Sequence, residues 1–501
     1  ASCSSPRVFR SEGLGTWDKR SNRMARKFVR FVVIAAALTA SLTLTHAQQR
    51  RQEAAPQTPQ SNGPKKHVAL VGGMLIDGYD VPPIHHAAVL IEDNKIVEAG
   101  PASEIKIPAD ATVIDTSGRT MMPGLIEEHA HLSILGHGDY SRWYPWIVQN
   151  GYTEKVMEIS AKQLLMAGIT TAVDLGGPLK ESLSVRDRIK RGEIPGPHLQ
   201  VSGPWVTRSL GNYPPEMNIM QRLITTPEEA AQATEELIAA GVDVIKAYVQ
   251  LTPAHYKAIT DTAHKHRIRV HAHVYAEQDV RNALENGVDV LTHVGSAGTA
   301  PPYSEKLILD IVNAGRAVVV TGAHRSWVFP DTVEFPERLQ DPQLKADFAP
   351  IPVLWDEVQH SLKNFQGLGY FARTDREMFF RERGVKQFID SGAVMGMGTD
   401  SGTPMNFHTE ALWREIKMHV DMGMSPQRAI MAATRVNARS VLGLPDRGTI
   451  EPGKLADIIV VNGNPLYDIV ALSHVEVVVK DGVIYKGGPV AKSARPTSSS
   501  Q

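Results

Sequence analysis

The stretch "PGLIEEHAHL", Pro123 to Leu132, decides how this chain is read. It ends an apolar run by setting His129 and His131 one residue apart, behind a pair of glutamates. On an extended strand, side chains two apart share a face, so both imidazoles can reach one ion at a strand end. Outward from this point strand and helix signals alternate, the pattern of a parallel sheet with helical crossovers. Seven more strand candidates follow: "TTAVDLGG", "PHLQVSG", "VDVIKAYV", "IRVHAHVY", "VDVLTHV", "RAVVVTGAH" and "AVMGMGTD". With the first they make eight, the strand number of a (β/α)8 barrel. The intervening "TEKVMEISAKQLLMAG", "TPEEAAQATEELIAAG" and "AEQDVRNALENG" have apolar residues three and four apart. In the second, Thr226 is an N-cap candidate with Glu229 three residues later. The span from Ala323 to Phe380 breaks the rhythm with prolines and aromatics and reads as an irregular lid or substrate-binding excursion.

The two ends of the chain share another texture. Short β-like runs, "HVALVGGMLID", "AAVLIEDNKIVEAG" and "ATVIDTSGRTMMPG", return near the C-terminus as "ADIIVVNGNPLYDI" and "VEVVVKDGVIYKGG". The expected fold class is therefore α/β: a TIM-like (β/α)8 barrel over 123–444, with a small β-sandwich built from the N- and C-terminal segments, 67–122 and 445–488. Residues 48–66, rich in Pro, Gln and Ser, read as a disordered linker, and 489–501 as a disordered tail.

Composition narrows the function class. The 501 residues carry 53 basic and 54 acidic side chains, and no basic run in the body supplies the cationic face that nucleic acid needs, so a small molecule is the expected partner. Residues 1–47 are read as upstream sequence plus a secretory signal: "MARKFVR" is cationic, "FVVIAAALTASLTL" is apolar and "THA" offers small residues for cleavage. Export to a periplasmic or extracellular space follows, without stable membrane insertion after cleavage; an uncleaved anchor is the alternative. The single cysteine, Cys3, precedes the signal, so His, Lys and carboxylates are left to hold any transition metal in the mature chain.

In a (β/α)8 barrel, catalytic groups sit where strands end. His129 and His131 close the first strand candidate, Lys246 the fourth, His273 the fifth, His293 the sixth and Asp400 the eighth. Each has a plainer reading alone: a packed or hydrogen-bonded histidine, a snorkelling lysine, a turn-capping aspartate. Their coincidence at five strand ends points to a metal site.

These motifs resemble the amidohydrolase superfamily, in particular exported members related to imidazolonepropionase and to metal-dependent Xaa-Pro and Xaa-Arg dipeptidases. The resemblance runs from Val68 to Gly487 through "PGLIEEHAHL", "LLMAGITTAVDLGG", "GVDVIKAY", "HVYAEQDVRNALENGVDVLTH", "GMGTDSG" and "GTIEPGKLADIIVVNGNPLYDI". It implies two divalent metal ions, zinc by default. His129, His131 and Asp400 would bind one ion, His273 and His293 the second, and a CO2-derived carbamate on Lys246 would bridge them. The family spacing of 20 residues to His293 selects His273 over His271, which becomes a neighbour in the barrel interior. Tyr275 matches a position where dipeptidase-like members direct a tyrosine at the substrate carbonyl; a packing aromatic is the alternative. His408 and Glu410 look like the family's His-x-Glu, with helix-capping and supporting roles open. His324, ending the seventh strand candidate, is left unassigned, with substrate contact as one use.

The chemistry so implied is hydrolysis of an amide-type C–N bond in a dipeptide, N-acyl amino acid or cyclic amide. A hydroxide shared by two cations about 3.5–4 Å apart would attack. Asp400 would shuttle its proton to the departing nitrogen. Two alternatives stand beside it: a bimetal esterase, lactonase or phosphotriesterase, and an exported binding protein without turnover. Family habit adds a homo-oligomer as an open expectation.

Overall fold

The computed structural model describes residues 65–488 apart from 137–139, 212, 296–301, 325–327, 341, 369–370 and 372–373. The expected leader, most of the linker and the C-terminal tail lie outside the described residues. Among those described, no helix is long and apolar enough to cross a membrane.

Six strands come first: β1 (His67–Val71), β2 (Met74–Leu75), β3 (Ala87–Glu92), β4 (Lys95–Pro101), β5 (Thr112–Asp115) and β6 (Arg119–Pro123). The parallel array follows as β7 (Leu125–Ala130), β8 (Ile169–Asp174), β9 (His198–Val201), β10 (Trp205–Thr207), β11 (Gln221–Leu223), β12 (Val244–Ala247), β13 (Arg269–His273), β14 (Val290–Thr292), β15 (Ala317–Val319) and β16 (Val394–Gly396). The chain finishes with β17 (Ile458–Asn462), β18 (Val475–Lys480) and β19 (Val483–Lys486).

All eight expected barrel strands form, and β10 and β11 are additions that the periodicity did not reveal. At three residues each, they are too short to show alternation. The array is a TIM-barrel-like α/β fold in two parallel sheets, β7-β8-β9 and β11-β10-β12-β13-β14-β15-β16. The expected closure into one continuous ladder is not seen. Between β16 and β7 the backbone bonds are local: Glu128 N to Met397 O at 3.1 Å, Asp400 N to His129 O at 2.7 Å and His131 N to Ser401 O at 2.9 Å. Asn437 joins the same two strands, donating to Ile126 O and Met397 O, both at 2.7 Å, and accepting from Met397 N at 3.0 Å. A Cβ placed on Gly398 would lie 2.8 Å from His129 Cβ, so only glycine lets the strands approach this closely.

Helices cover the outside. Pro227–Ala240 opens with the capping box read from sequence, Thr226 accepting from Glu229 N and Glu229 returning a bond to the Thr226 N–H, and it stops at Gly241 with φ 98°. Burying apolar stripes against the sheet stabilises each helix at roughly 25 cal/mol per Å² removed from water.

The terminal strands form two more sheets, β4-β3-β1-β5 and β19-β18-β17-β6-β2. The second joins chain ends far apart in sequence, since β17 pairs antiparallel with β6, Ile458 opposite Pro123 through Asn462 opposite Arg119. Leu70, Val89 and Ile91 from one sheet share an apolar cluster with Met121, Ile458 and Val479 from the other.

The span from Ala323 to Phe380 corrects the sequence reading. It is largely helical, through Val328–Glu334, Pro342–Asp347, Pro352–Asn364 and the start of Thr374–Ser391. Two of these prolines open helices, where the missing N–H costs nothing, so what looked like breakers are starts. Phe348, Leu354, Val358 and Phe365 pack with Leu135, Trp143 and Phe407, roofing the region beside the strand ends.

Candidate active site

Strand β7 is buried along all six residues although its sequence is Leu-Ile-Glu-Glu-His-Ala. Strands buried on both faces are normally apolar throughout. Glu127 answers the cost of burial with three bonds, accepting from His129 N and Thr399 N at 2.9 Å and from Thr399 Oγ1 at 2.8 Å. Burial still pushes its carboxyl up to about 8. Glu128 lies against His271, Oε1 2.5 Å from Nδ1, with both side chains fully buried. His271 is thus an interior neighbour, and Glu127 and Glu128 are supports that the motif displayed without revealing their use.

At the strand ends the expected donors converge. His131 Nε2 lies 2.9 Å from Asp400 Oδ1, and His129 Nε2 lies 3.5 Å from the same oxygen. His324 Nε2 approaches Asp400 Oδ2 at 3.5 Å. His324 Nδ1 lies 2.6 Å from Thr321 O, which holds a proton on Nδ1, so the ring donates from Nε2 to the carboxylate when it carries its second proton. Burial raises the Asp400 carboxyl, but the His131 bond and the charges of His324, His293 and His129 outweigh it and hold it well below the usual carboxylate range.

Lys246, whose plainer reading on its own is a snorkelling lysine, is 1% exposed. Its Nζ donates to Thr292 Oγ1 at 3.0 Å and lies 3.5 Å from His129 Nε2. No carboxylate among the described residues is within ion-pair distance, and burial pulls the amine down to about 7. His293 Nδ1 meets Thr321 Oγ1 at 2.8 Å, and its ring centroid is 4.7 Å from His129 and 4.3 Å from His273. Tyr275 stands over the same pair, 4.6 Å from His273 and 5.4 Å from His293. His129, His131, Lys246, His273, His293, Asp400 and Tyr275 are thus linked by a chain of short contacts at the strand ends. Beside them an aromatic surface went unread in the sequence: Trp205 stacks on Tyr248 at 4.4 Å, Tyr248 lies 4.6 Å from His273, and Trp205 lies 5.8 Å from His131.

Asp400, His293 and Thr321 are non-glycine residues with positive φ, 58°, 69° and 51°. Such conformations cost of order 1–3 kcal/mol each and persist where surroundings over-determine them. The loop after β15 illustrates this: Glu415 accepts from Gly322 N at 2.8 Å and Ala323 N at 2.7 Å, while buried Arg381 donates to Gly322 O and His324 O at 2.5 and 2.6 Å. His408 plays a supporting part, with Nδ1 2.9 Å from Ser401 Oγ and Nε2 3.0 Å from Ile134 O. Glu410 is not in the site; it pairs with Arg338 and Arg414.

These residues fit a divalent cation. His129, His131 and Asp400 each offer a ligand atom within 4.8 Å of the others. Imidazole with carboxylate suits zinc, manganese, iron or cobalt. Lys246 does not oppose this, because burial pulls its amine down to about 7 and so favours the neutral form beside a cation.

An α/β fold that gathers imidazoles, a carboxylate and a buried amine at the ends of parallel strands is the architecture of a metal-dependent barrel enzyme. The Amidohydrolase family model matches residues 120–486, and the chain belongs to that family, whose members hydrolyse carbon–nitrogen bonds. It is 26% identical to an ochratoxinase of Aspergillus niger, over 86% of this chain and 89% of the relative. It is 25% identical to an imidazolonepropionase of Geobacillus kaustophilus, over 82% and 93% respectively. A solved Xaa-Pro dipeptidase with bound methionine shares the fold, with a TM-score of 0.66, 22% identity, and coverage of 84% of this chain and all of that one.

Proposed function

We propose that this protein hydrolyses the C–N bond of a small amide: a dipeptide, an N-acyl amino acid or a cyclic amide. The observation that carries the reading is the Asp400 carboxylate, held 2.9 Å from His131 and 3.5 Å from both His129 and His324 at the strand ends. His129, His131 and Asp400 would hold one divalent ion and His273 and His293 a second, with Lys246 joining them as a carbamate and zinc the default metal. When bound, such ions polarise a carbonyl and lower the pKa of water toward neutrality.

The chain's own residues account for the rest. Asp400, ionised and facing the mouth, accepts the proton of the attacking water at a carboxylate oxygen and returns it to the departing nitrogen. His324 steadies that carboxylate from the side opposite His131. Thr292 orients Lys246 Nζ, and Tyr275 would donate its hydroxyl to the substrate carbonyl. The Trp205–Tyr248 surface offers an apolar face to the substrate's side chain or acyl group. Relatives named ochratoxinase and imidazolonepropionase support a small substrate. The reading also includes a closed eight-stranded barrel, a β-sandwich of the terminal strands, export by the N-terminal signal, and self-association.

The test is a substrate panel with metal-loaded protein: dipeptides, N-acyl amino acids, cyclic amides, esters, lactones and a phosphotriester. Amide turnover that disappears on chelation and returns with zinc is expected. Ester or phosphotriester turnover without amide turnover would replace this reading, and binding without turnover of any class would make the chain a binding protein.

A further inference from the structure

A second group of donors lies at the opposite ends of the parallel strands. His198 is the first residue of β9, Asp457 immediately precedes β17, and Asp481 sits in the turn between β18 and β19. One ligand atom from each lies within 4.8 Å of the others. His198 Nε2 is 3.3 Å from Asp457 Oδ2 and 3.3 Å from Asp481 Oδ1.

Neither contact is completed as a hydrogen bond, and both His198 Nε2 and Asp457 Oδ2 are buried atoms without a hydrogen-bond partner among the described residues. Asp457 is 5% exposed. Its other oxygen, Oδ1, accepts from Asp481 N at 2.9 Å, which locks the carboxylate with Oδ2 aimed at the imidazole. A ring nitrogen carries at most one proton and cannot serve two oxygens placed symmetrically about it. Donor separations of about 3.3 Å are, however, the edges of a tetrahedron whose centre is about 2.0–2.1 Å from each N or O ligand, the zinc distance.

The charges leave room for a cation. Lys480 Nζ lies 3.4 Å from Asp481 Oδ2, leaving Oδ1 turned to the cluster, and Arg447 is engaged by Asp446 at 2.9 Å. Two carboxylates against one adjacent lysine give a net negative site. Beside it, Arg186, Leu199, Asp243 and Leu455 line a cavity of about 570 Å³ that also reaches His198 and Asp481, with space for a water ligand.

We propose that His198, Asp457 and Asp481 bind one zinc-class divalent cation as a structural clamp between β9 and the terminal-strand sheet, with its fourth position open to water. Structural ions of this kind contribute directly to folding stability. The clamp stands independently of the amide-hydrolase reading, because none of its residues borders the mouth.

The test counts zinc bound per chain by the metal-stripped full-length protein after equilibrium dialysis, for wild type, His198→Gln and Asp457→Asn. Each variant should bind one equivalent fewer than wild type while keeping its activity toward the amide panel. Crystals grown with zinc should give an anomalous peak about 2.0–2.1 Å from His198 Nε2. If Asp457→Asn fails to fold, His198→Gln and the anomalous map decide. Equal zinc counts in wild type and His198→Gln, or a map with no peak at His198, would overturn the proposal and leave a protonated His198 paired with two aspartates. Failure of the mouth as a metal centre would instead lower all counts together, so the two failures are distinguishable.

Discussion

The two ends of the parallel strands hold the same donor types in different surroundings. At the C-terminal ends His129, His131 and Asp400 sit among three more imidazoles, His273, His293 and His324, and a buried lysine without a carboxylate partner. At the N-terminal ends His198, Asp457 and Asp481 sit beside Lys480, and no second histidine lies among the three. The difference teaches that clustering of His and Asp does not by itself make a reactive site. The mouth gathers buried imidazoles and an amine that burial pulls down to about 7 around one carboxylate, a set of nitrogen donors with a single anion that suits a bound divalent cation. The base sets two carboxylates against one lysine and one histidine, away from the mouth, so a cation there would stabilise the fold without doing chemistry.

Substitutions can break or sharpen this contrast. The largest effect belongs to the mouth: Asp400→Asn should lower kcat/KM for the best amide about 10³-fold, within the usual range for a general acid–base group. Turnover within a few fold of wild type would remove the distinction between the ends. Next, Lys246→Met keeps the bulk of the stem and deletes the amine; it should cost about 10²-fold or more in kcat. Bound metal should fall in parallel, read by elemental analysis of the same preparation. Full metal content with full activity would leave the lysine a packing residue.

A smaller effect is expected one layer out. Arg381→Met strands the Gly322 and His324 carbonyls and leaves Glu415 buried beside a lost cation. It should cost about 1–3 kcal/mol of stability, read as a lower thermal midpoint. Turnover should fall about tenfold, since partners that orient a site residue typically account for 10–100-fold. The smallest effect on chemistry should come from the base, where Asp457→Asn lowers stability by about 1–3 kcal/mol through a weakened buried network and leaves kcat unchanged. A change in kcat there would show that the two ends are coupled.

The sequence was most legible where a residue's role is local. His-x-His on one strand follows from the two-residue repeat, and the capping box at Thr226 needs only a spacing of three. Residues whose partners lie far along the chain were not legible. Glu127 finds Thr399, 272 positions away, and Asn437 finds Ile126, 311 positions away. Nothing local distinguishes these side chains from surface ones. The helical roof was misread because prolines at helix starts resemble prolines in loops, and β10 and β11 because three residues cannot show a period.

By itself, the sequence determined the α/β alternation, the positions of the eight long-range strands and which side chains stand at their ends, because periodicity and strand alternation are properties of neighbouring residues. Only the tertiary structure decided that Lys246 is buried without a carboxylate, that His324 faces Asp400, and that His198 meets Asp457 and Asp481. Those outcomes depend on which distant segments share a low-dielectric interior. There an ionisable group's state is set by what packs against it, rather than by its place in the chain.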